Sequence, residues 1–168
     1  MRLQAVKGTQ DILPRDQATW RAVTAAAEDV LGGAGAGLLT TPIFEYSEVF
    51  EKSVGDSADL VVQKEMYTFE DRGGRSLTLR PDFTAGVVRA FLENGLHTLP
   101  QPVKLWSFGP AFRAENVQRG RFRQFHQVNY EAVGLGSPLA DAEAIELVYR
   151  TLQRCGLTRH RIKLGSVG

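Results

Sequence analysis

Residues 112–127 read FRAENVQRGRFRQFHQ. The stretch gathers four arginines (Arg113, Arg119, Arg121 and Arg123), one glutamate and three glutamines around Phe122 and Phe125. A guanidinium keeps its charge at physiological pH and grips phosphate oxygens as a fork. An aromatic ring beside it offers a plate on which a base can stack. Together these types point to a loop that holds a nucleotide, with Phe125 as the plate and Glu115 placed to accept from an exocyclic amine. The alternative is a solvated basic hairpin in which Glu115 pairs with Arg113 or Arg121.

Side chains of a strand alternate between its faces. If residues 122–133 are a strand, Arg123, Phe125, Gln127, Asn129 and Glu131 share one face. Phe122, Gln124, His126, Val128 and Tyr130 share the other. Neither is a row of aliphatic residues, as a purely structural sheet would require. Gln127 and Glu131, deeper on the odd face, suit the amine or polar side chain of a small zwitterion. There is no metal case, because His97, His126 and His160 lack ligand spacing. Nor is there a nucleophile elbow.

The elements that must position this row are readable in outline. Val103–Arg113 and Phe122–Val133 form a long antiparallel pair joined by the loop Ala114–Arg121. A hairpin is expected over Lys64–Leu79, turning at Asp71-Arg72-Gly73-Gly74. A first helix is expected from about Asp16 to Leu31. Asp16 is its cap, and Trp20, Val23, Ala27, Val30 and Leu31 form its apolar stripe. Gly32 and Gly33 end it, which makes the following GGAGAG a helix stop rather than a phosphate loop. Leu38–Thr41 read as extended and Ser47–Lys52 as a short helix. Asp82 or Thr84 caps a helix whose inner face is Val87, Val88, Phe91 and Leu92 and which ends at Gly95. Ser137 or Asp141 caps a last helix through LADAEAIELVYRTLQRC, and Ile162–Leu164 begins a further strand. Hairpins mixed with helices, without a βαβ rhythm, argue α+β.

Composition sets limits on partners. The chain has 168 residues, enough for one core. Its formal net charge is +1, so a polyanion site must be a local patch. Cys155 is the single cysteine, which fits a reducing compartment and a cytoplasmic protein. The sequence offers no apolar run of membrane length and no leader-like h-region.

FRAENVQRGRFRQFHQ followed by VNYEAVG resembles motif 2 of class II aminoacyl-tRNA synthetases in its histidyl form. KGTQDILP, at Lys7–Pro14, resembles that family's N-terminal signature. TPIFEYSEVFEKSVGDSADLVVQKEMYTFEDRGGRSLTLRP resembles motif 1 and its hairpin, and ADAEAIELVYRTLQRCGL resembles the helix after motif 2. The resemblance runs through the whole chain in order. It implies an α+β fold with an antiparallel sheet flanked by helices, dimeric through the motif 1 region around Pro42. It implies a ligase that activates L-histidine with ATP to histidyl-adenylate and passes it to the acceptor end of tRNA(His), with Mg2+ carried on the phosphates. Arg113 would contact the α-phosphate and the histidine carboxylate. Glu115 would read adenine, Phe125 would stack on it, and Arg121, with Arg123 second, would hold the distal phosphates. Thr84, Gln127 and Glu131 would hold histidine, with Asp82 for its amine. The loop Ala114–Arg121 is the candidate for the tRNA end.

The sequence departs from the family's pattern in three places. Arg80-Pro81-Asp82-Phe83-Thr84 stands for the usual Arg-Pro-Glu-Gly-Thr, so Phe83 fills a place normally small. Glu115-Asn116-Val117-Gln118 stands for Glu-Arg-Pro-Gln. Residues 1–168 are expected to be the N-terminal part of the catalytic domain, ending before motif 3 and without an anticodon-binding domain. The second reading is the synthetase-like regulatory subunit of ATP phosphoribosyltransferase, which binds histidine without aminoacylation. The third is a dimerisation module without a ligand.

Overall fold

The computed structural model describes residues 3–53 and 65–165. Residues 54–64 of the motif 1-like stretch, including the expected hairpin start at Lys64, lie outside the described residues.

Two three-stranded sheets form the frame. The larger joins β1 (Gly37–Leu38), β5 (Val103–Phe112) and β6 (Gln124–Val133). β5 and β6 pair antiparallel over their whole length, with Gly109 opposite Gln127 and Leu105 opposite Glu131. β1 adds a short parallel edge. The smaller sheet places β4 (Ser76–Leu79) between β2 (Phe44–Tyr46) and β3 (Tyr67–Glu70), all antiparallel. Asp71 makes the expected hairpin turn. Its Oδ1 accepts from the backbone N–H of Gly73 and Arg75, while its Oδ2 takes Arg75 Nε at 2.7 Å. β2 was not foreseen; it has three residues, and its partner lies more than thirty residues away.

Helices cover both faces of the large sheet. α1 (Gln17–Ala27), continuing as a π-helical turn over Glu28–Gly32, and α4 (Pro138–Arg154) pack on the even face. There Ala27, Leu31, Ala36, Trp106 and Leu147 make one core, with Val128 and Tyr130 of β6 against it. α2 (Ser47–Ser53) packs beside α3 (Thr84–Glu93). α3 covers the far end of the odd face, where Phe83, Val87, Phe91 and Leu105 form a second core. The near end of the odd face stays open. Phe83 is 1% exposed, so its ring is spent in the core.

Four local expectations are corrected. Asp16 does not cap α1: its own φ/ψ of −93/−15 is helical, so its carboxylate is not set over the first N–H groups. Val88 and Leu92 are 40% and 58% exposed, because α3 turns Ala85, Gly86, Val87, Ala90 and Phe91 inward instead. Residues 162–164 carry no strand. Phe83, rather than Asp82 or Thr84, holds the N-cap position of α3 and makes no side-chain cap bond. Of the two caps expected for the last helix, Ser137 is the one found, its Oγ accepting from Leu139 N at 3.3 Å. Among the described residues no helix is long and apolar enough to cross a membrane.

Candidate active site

Arg113 leaves the end of β5 with its N–H bonded to Arg123 O at 2.9 Å, one rung beyond the strand pair. Its Nε donates to Pro81 O at 3.0 Å, and its guanidinium carbon lies 5.3 Å from the Phe125 ring centroid. Glu115 stands between the loop arginines. Its carboxylate is 3.2 Å from Arg121 Nη1 and 3.9 Å from Arg113 Nη1. Arg123 Nε donates to the Glu115 carbonyl at 3.4 Å. The loop closes by a bridge between Gln118 and Arg121, with Gly120 at φ +81 inside it. A positive φ suits glycine and spares a β-carbon at the turn.

These residues bound an open cleft of about 500 Å³, lined by Arg113, Glu115, Gly120, Arg121, Phe122, Phe125 and His126. Arg123 is not among its lining; its Nε braces the loop through the Glu115 carbonyl. His126 belongs to the helix-covered face, edge-on to Trp20 with centroids 4.4 Å apart. Burial first, then the positive charge of Arg80, hold its imidazole below the ordinary histidine value.

A polar row continues along the same open face of the sheet. Glu131 Oε1 accepts from Thr84 Oγ1 at 2.6 Å and from Asn129 Nδ2 at 3.2 Å. Asp82 Oδ1 accepts from Thr84 N at 3.1 Å, which starts α3 and brings Thr84 over the sheet. Gln127 Oε1 is buried and has no hydrogen-bond partner among the described residues. A buried acceptor without a partner is costly, and a bound donor would satisfy it.

The floor beneath this row is small by necessity. β5 presents Ser107, Gly109 and Ala111 opposite Asn129, Gln127 and Phe125. A β-carbon on Gly109 would lie 2.7 Å from Arg80 Nη2. Arg80 is 4% exposed, with its guanidinium 3.9 Å over the Phe83 ring. It donates to Pro110 O at 2.7 Å, Thr41 O at 3.1 Å, Thr41 Oγ1 at 3.3 Å and Pro42 O at 3.4 Å. Burial lowers its pKa and Glu45 opposes the shift, but an arginine remains a cation. It ties β5 and α3 to the motif 1-like segment under the site.

The structure places Arg113, Glu115, Arg121 and Phe125 on the cleft and Asp82, Thr84, Gln127 and Glu131 in the polar row beside it, with Arg123 outside the lining. Asn129 could have been added from parity alone. Arg80 and Gly109 could not, since their contact spans twenty-nine residues of chain.

This arrangement has a family. The family model described as Histidyl-tRNA synthetase matches residues 8–168. The chain belongs to that family. It is 55% identical over its full length to a histidine–tRNA ligase of Thermus thermophilus and 51% identical to one of Desulforudis audaxviator. In each case it spans 40% of the relative's length. Among solved structures, apo histidyl-tRNA synthetase of S. aureus matches with a TM-score of 0.77 and 37% identity, over 94% of this chain and 36% of that one. A structure from Bacillus halodurans named as an ATP phosphoribosyltransferase regulatory subunit/histidyl-tRNA synthetase gives 0.78 and 27%, over 91% and 38%. The fold is thus that of the histidyl-tRNA synthetases, with an antiparallel strand pair flanked by helices at its centre.

Proposed function

We propose that this chain is the N-terminal part of the catalytic domain of a histidine–tRNA ligase. In this reading it binds ATP and L-histidine side by side on the open face of the large sheet. The carboxylate of histidine attacks the α-phosphorus of ATP, the bond to the bridging oxygen breaks, and pyrophosphate leaves. A terminal ribose hydroxyl of tRNA(His) then attacks the carbonyl of the adenylate, the acyl–phosphate bond breaks and AMP leaves, with the loop Ala114–Arg121 as the first contact of the acceptor end. The protein acts in the cytoplasm.

One observation carries the reading: Arg113 touches both halves of the site. It meets Phe125 and Glu115 on the nucleotide side and Pro81 O, next to Asp82, on the amino-acid side. A fixed cation there is placed to bind the histidine carboxylate and the α-phosphate together. It would stabilise the charge that grows on the phosphate during attack. Phe125 offers the plate for adenine and Glu115 the acceptor for its amine. Arg121 holds the distal phosphates, and Arg123 keeps its remaining N–H groups as a second contact. Thr84, Gln127 and Glu131 hold histidine, and the second oxygen of Asp82 meets its amine. Among the described residues no three His, Cys, Asp or Glu side chains converge on a metal site. Magnesium enters this reading with the nucleotide, as the counter-ion of its phosphates.

The test is histidine-dependent exchange of pyrophosphate into ATP, with other amino acids as controls. Arg113→Ala is expected to lower the rate by about a hundredfold or more. The regulatory-subunit reading has its own support in Asp82-Phe83 and in the Bacillus halodurans structure, whose name joins both functions. Saturable histidine binding without exchange, in residues 1–168 and again after the C-terminal part of a relative is added back, would favour it; exchange restored by that addition would favour the ligase. Neither binding nor exchange would leave the dimerisation module.

A further inference from the structure

The hairpin that carries Arg113, Glu115, Arg121 and Arg123 is gripped from outside by the N-terminal segment. Val6 O accepts from Thr9 N at 2.9 Å and from Thr9 Oγ1 at 2.8 Å, closing a turn with Gly8 at φ +88. The Gly8 carbonyl faces the start of β6, on the edge away from β5. There it accepts from Arg123 N at 2.8 Å and Gln124 N at 3.2 Å. Arg123 O in turn accepts from Arg113 N at 2.9 Å. Gly8, Arg123 and Arg113 are thus linked by consecutive backbone hydrogen bonds that end at the catalytic candidate.

The grip is steric as well. A β-carbon on Gly8 would stand 2.8 Å from Val117 Cγ2 and 2.8 Å from Arg123 Cγ. Those two side chains belong to opposite limbs of the loop, one before and one after the Gln118–Arg121 bridge. Gly8 therefore sits in a notch made by both limbs. Three arginines fall within five residues at the end of the loop and the start of the strand, Arg119, Arg121 and Arg123, and like charges held close repel one another. Glu115 offsets part of that repulsion from inside, and the turn braces the hairpin from outside.

We propose that the turn at residues 6–9 is a positioning element for the nucleotide-phosphate loop, with Gly8 as its positioning residue. The proposal deepens the ATP reading and rests on it. Gly8 touches no substrate. It fixes Arg123 and Val117, and through them the places of Arg113 and Glu115. Phosphate contacts tolerate little misplacement, so loosening the turn weakens ATP binding before it weakens the fold.

The test uses the whole chain with Gly8→Ala and, alongside it, Arg113→Ala. ATP and histidine affinities are measured by calorimetry, and amide exchange is followed at Arg123 and Gln124. Gly8→Ala is expected to raise the ATP Kd by about tenfold, with histidine affinity and melting temperature little changed. The two amides are expected to exchange faster. Adding Val117→Ala, which removes one of the two close contacts, is expected to recover part of the ATP affinity. Thr9→Val loses the hydroxyl bond to Val6 O without crowding the notch, and is expected to act in the same direction by less. ATP affinity unchanged in Gly8→Ala but reduced in Arg113→Ala overturns the positioning role and leaves the ATP reading standing. Loss of ATP and histidine binding together with a large fall in melting temperature also overturns it, since that is general destabilisation. ATP binding indifferent to Arg113→Ala, or absent from the wild-type chain, removes the ATP reading and this proposal with it.

Discussion

Glu115 reconciles the two readings that its surroundings allow. In the free chain it pairs with Arg121 and, more loosely, with Arg113, as a solvated basic hairpin would. In the proposed reading the same pairing would keep two phosphate-binding cations together at the mouth of the cleft until a nucleotide supplied the anion. Thr84 would play the corresponding part for the amino acid. Its hydroxyl gives Glu131 a 2.6 Å hydrogen bond, so the carboxyl group is held in place by a neutral donor. Thr84→Val keeps the shape and removes this donor. Histidine affinity is expected to fall by about tenfold, the scale of one hydrogen bond to a charged group, with ATP affinity unchanged. Calorimetry with each ligand separately checks it, and an unchanged histidine Kd would take the Thr84–Glu131 pair out of the histidine site. The parity of β6 made this row legible in the sequence. Which face was open was not legible, because that depends on Trp20 and Leu147, distant in sequence, covering the other one.

At the level of elements, α4 is fastened to the large sheet by Glu143. Its Oε1 lies 2.7 Å from Lys104 Nζ on β5, and its Oε2 accepts from Tyr130 Oη on β6 at 3.4 Å. The hydrogen bond from Lys104 holds the Glu143 carboxyl below the usual glutamate value, while burial raises the Tyr130 hydroxyl above its own. A carboxyl whose pKa is depressed on folding contributes stability that is present above its unfolded value. That stability is lost as pH falls through the folded one. Glu143→Gln is therefore expected to lower the melting temperature near neutral pH. The gap from wild type should close as the buffer is taken below the ordinary carboxylate range. Thermal melts of both proteins across pH check it; a gap that persists at low pH would assign the effect to packing instead. The helix itself was legible from Ser137 to Cys155. Its clamp was not, since Lys104 and Glu143 are thirty-nine residues apart. Val88 and Leu92 misled for a related reason. Helical spacing marks an apolar stripe, but the rotation of α3 about its axis is set by Phe83 and Leu105.

The small sheet carries an apolar surface that the site does not use. In the small sheet, register places Phe44, Tyr46, Tyr67, Phe69, Leu77 and Leu79 on a common face. Phe44, Tyr46 and Phe69 are 46%, 47% and 43% exposed, and Ser47, Thr68, Ser76 and Thr78 bond among themselves behind them. This face lies in the segment that resembles motif 1, beside Pro42, where the resemblance implies the homodimer. A second copy is the occupant we assign to it. Phe69→Arg puts a charge at the centre of that face, against Phe44, whose ring centroid is 6.4 Å away. Because nearly half of Phe69 is already in water in the single chain, its replacement is expected to cost the monomer less than the dimer. Burying an unpaired guanidinium against an apolar partner is costly, so the dimer is expected to weaken by at least about tenfold. Sedimentation of wild type and variant over a range of concentrations separates the two effects, and thermal melts of the variant report whether its monomer is intact. A variant that still pairs as tightly as wild type would move the interface to another surface. A wild-type chain that stays monomeric would leave these aromatic residues without the partner proposed for them.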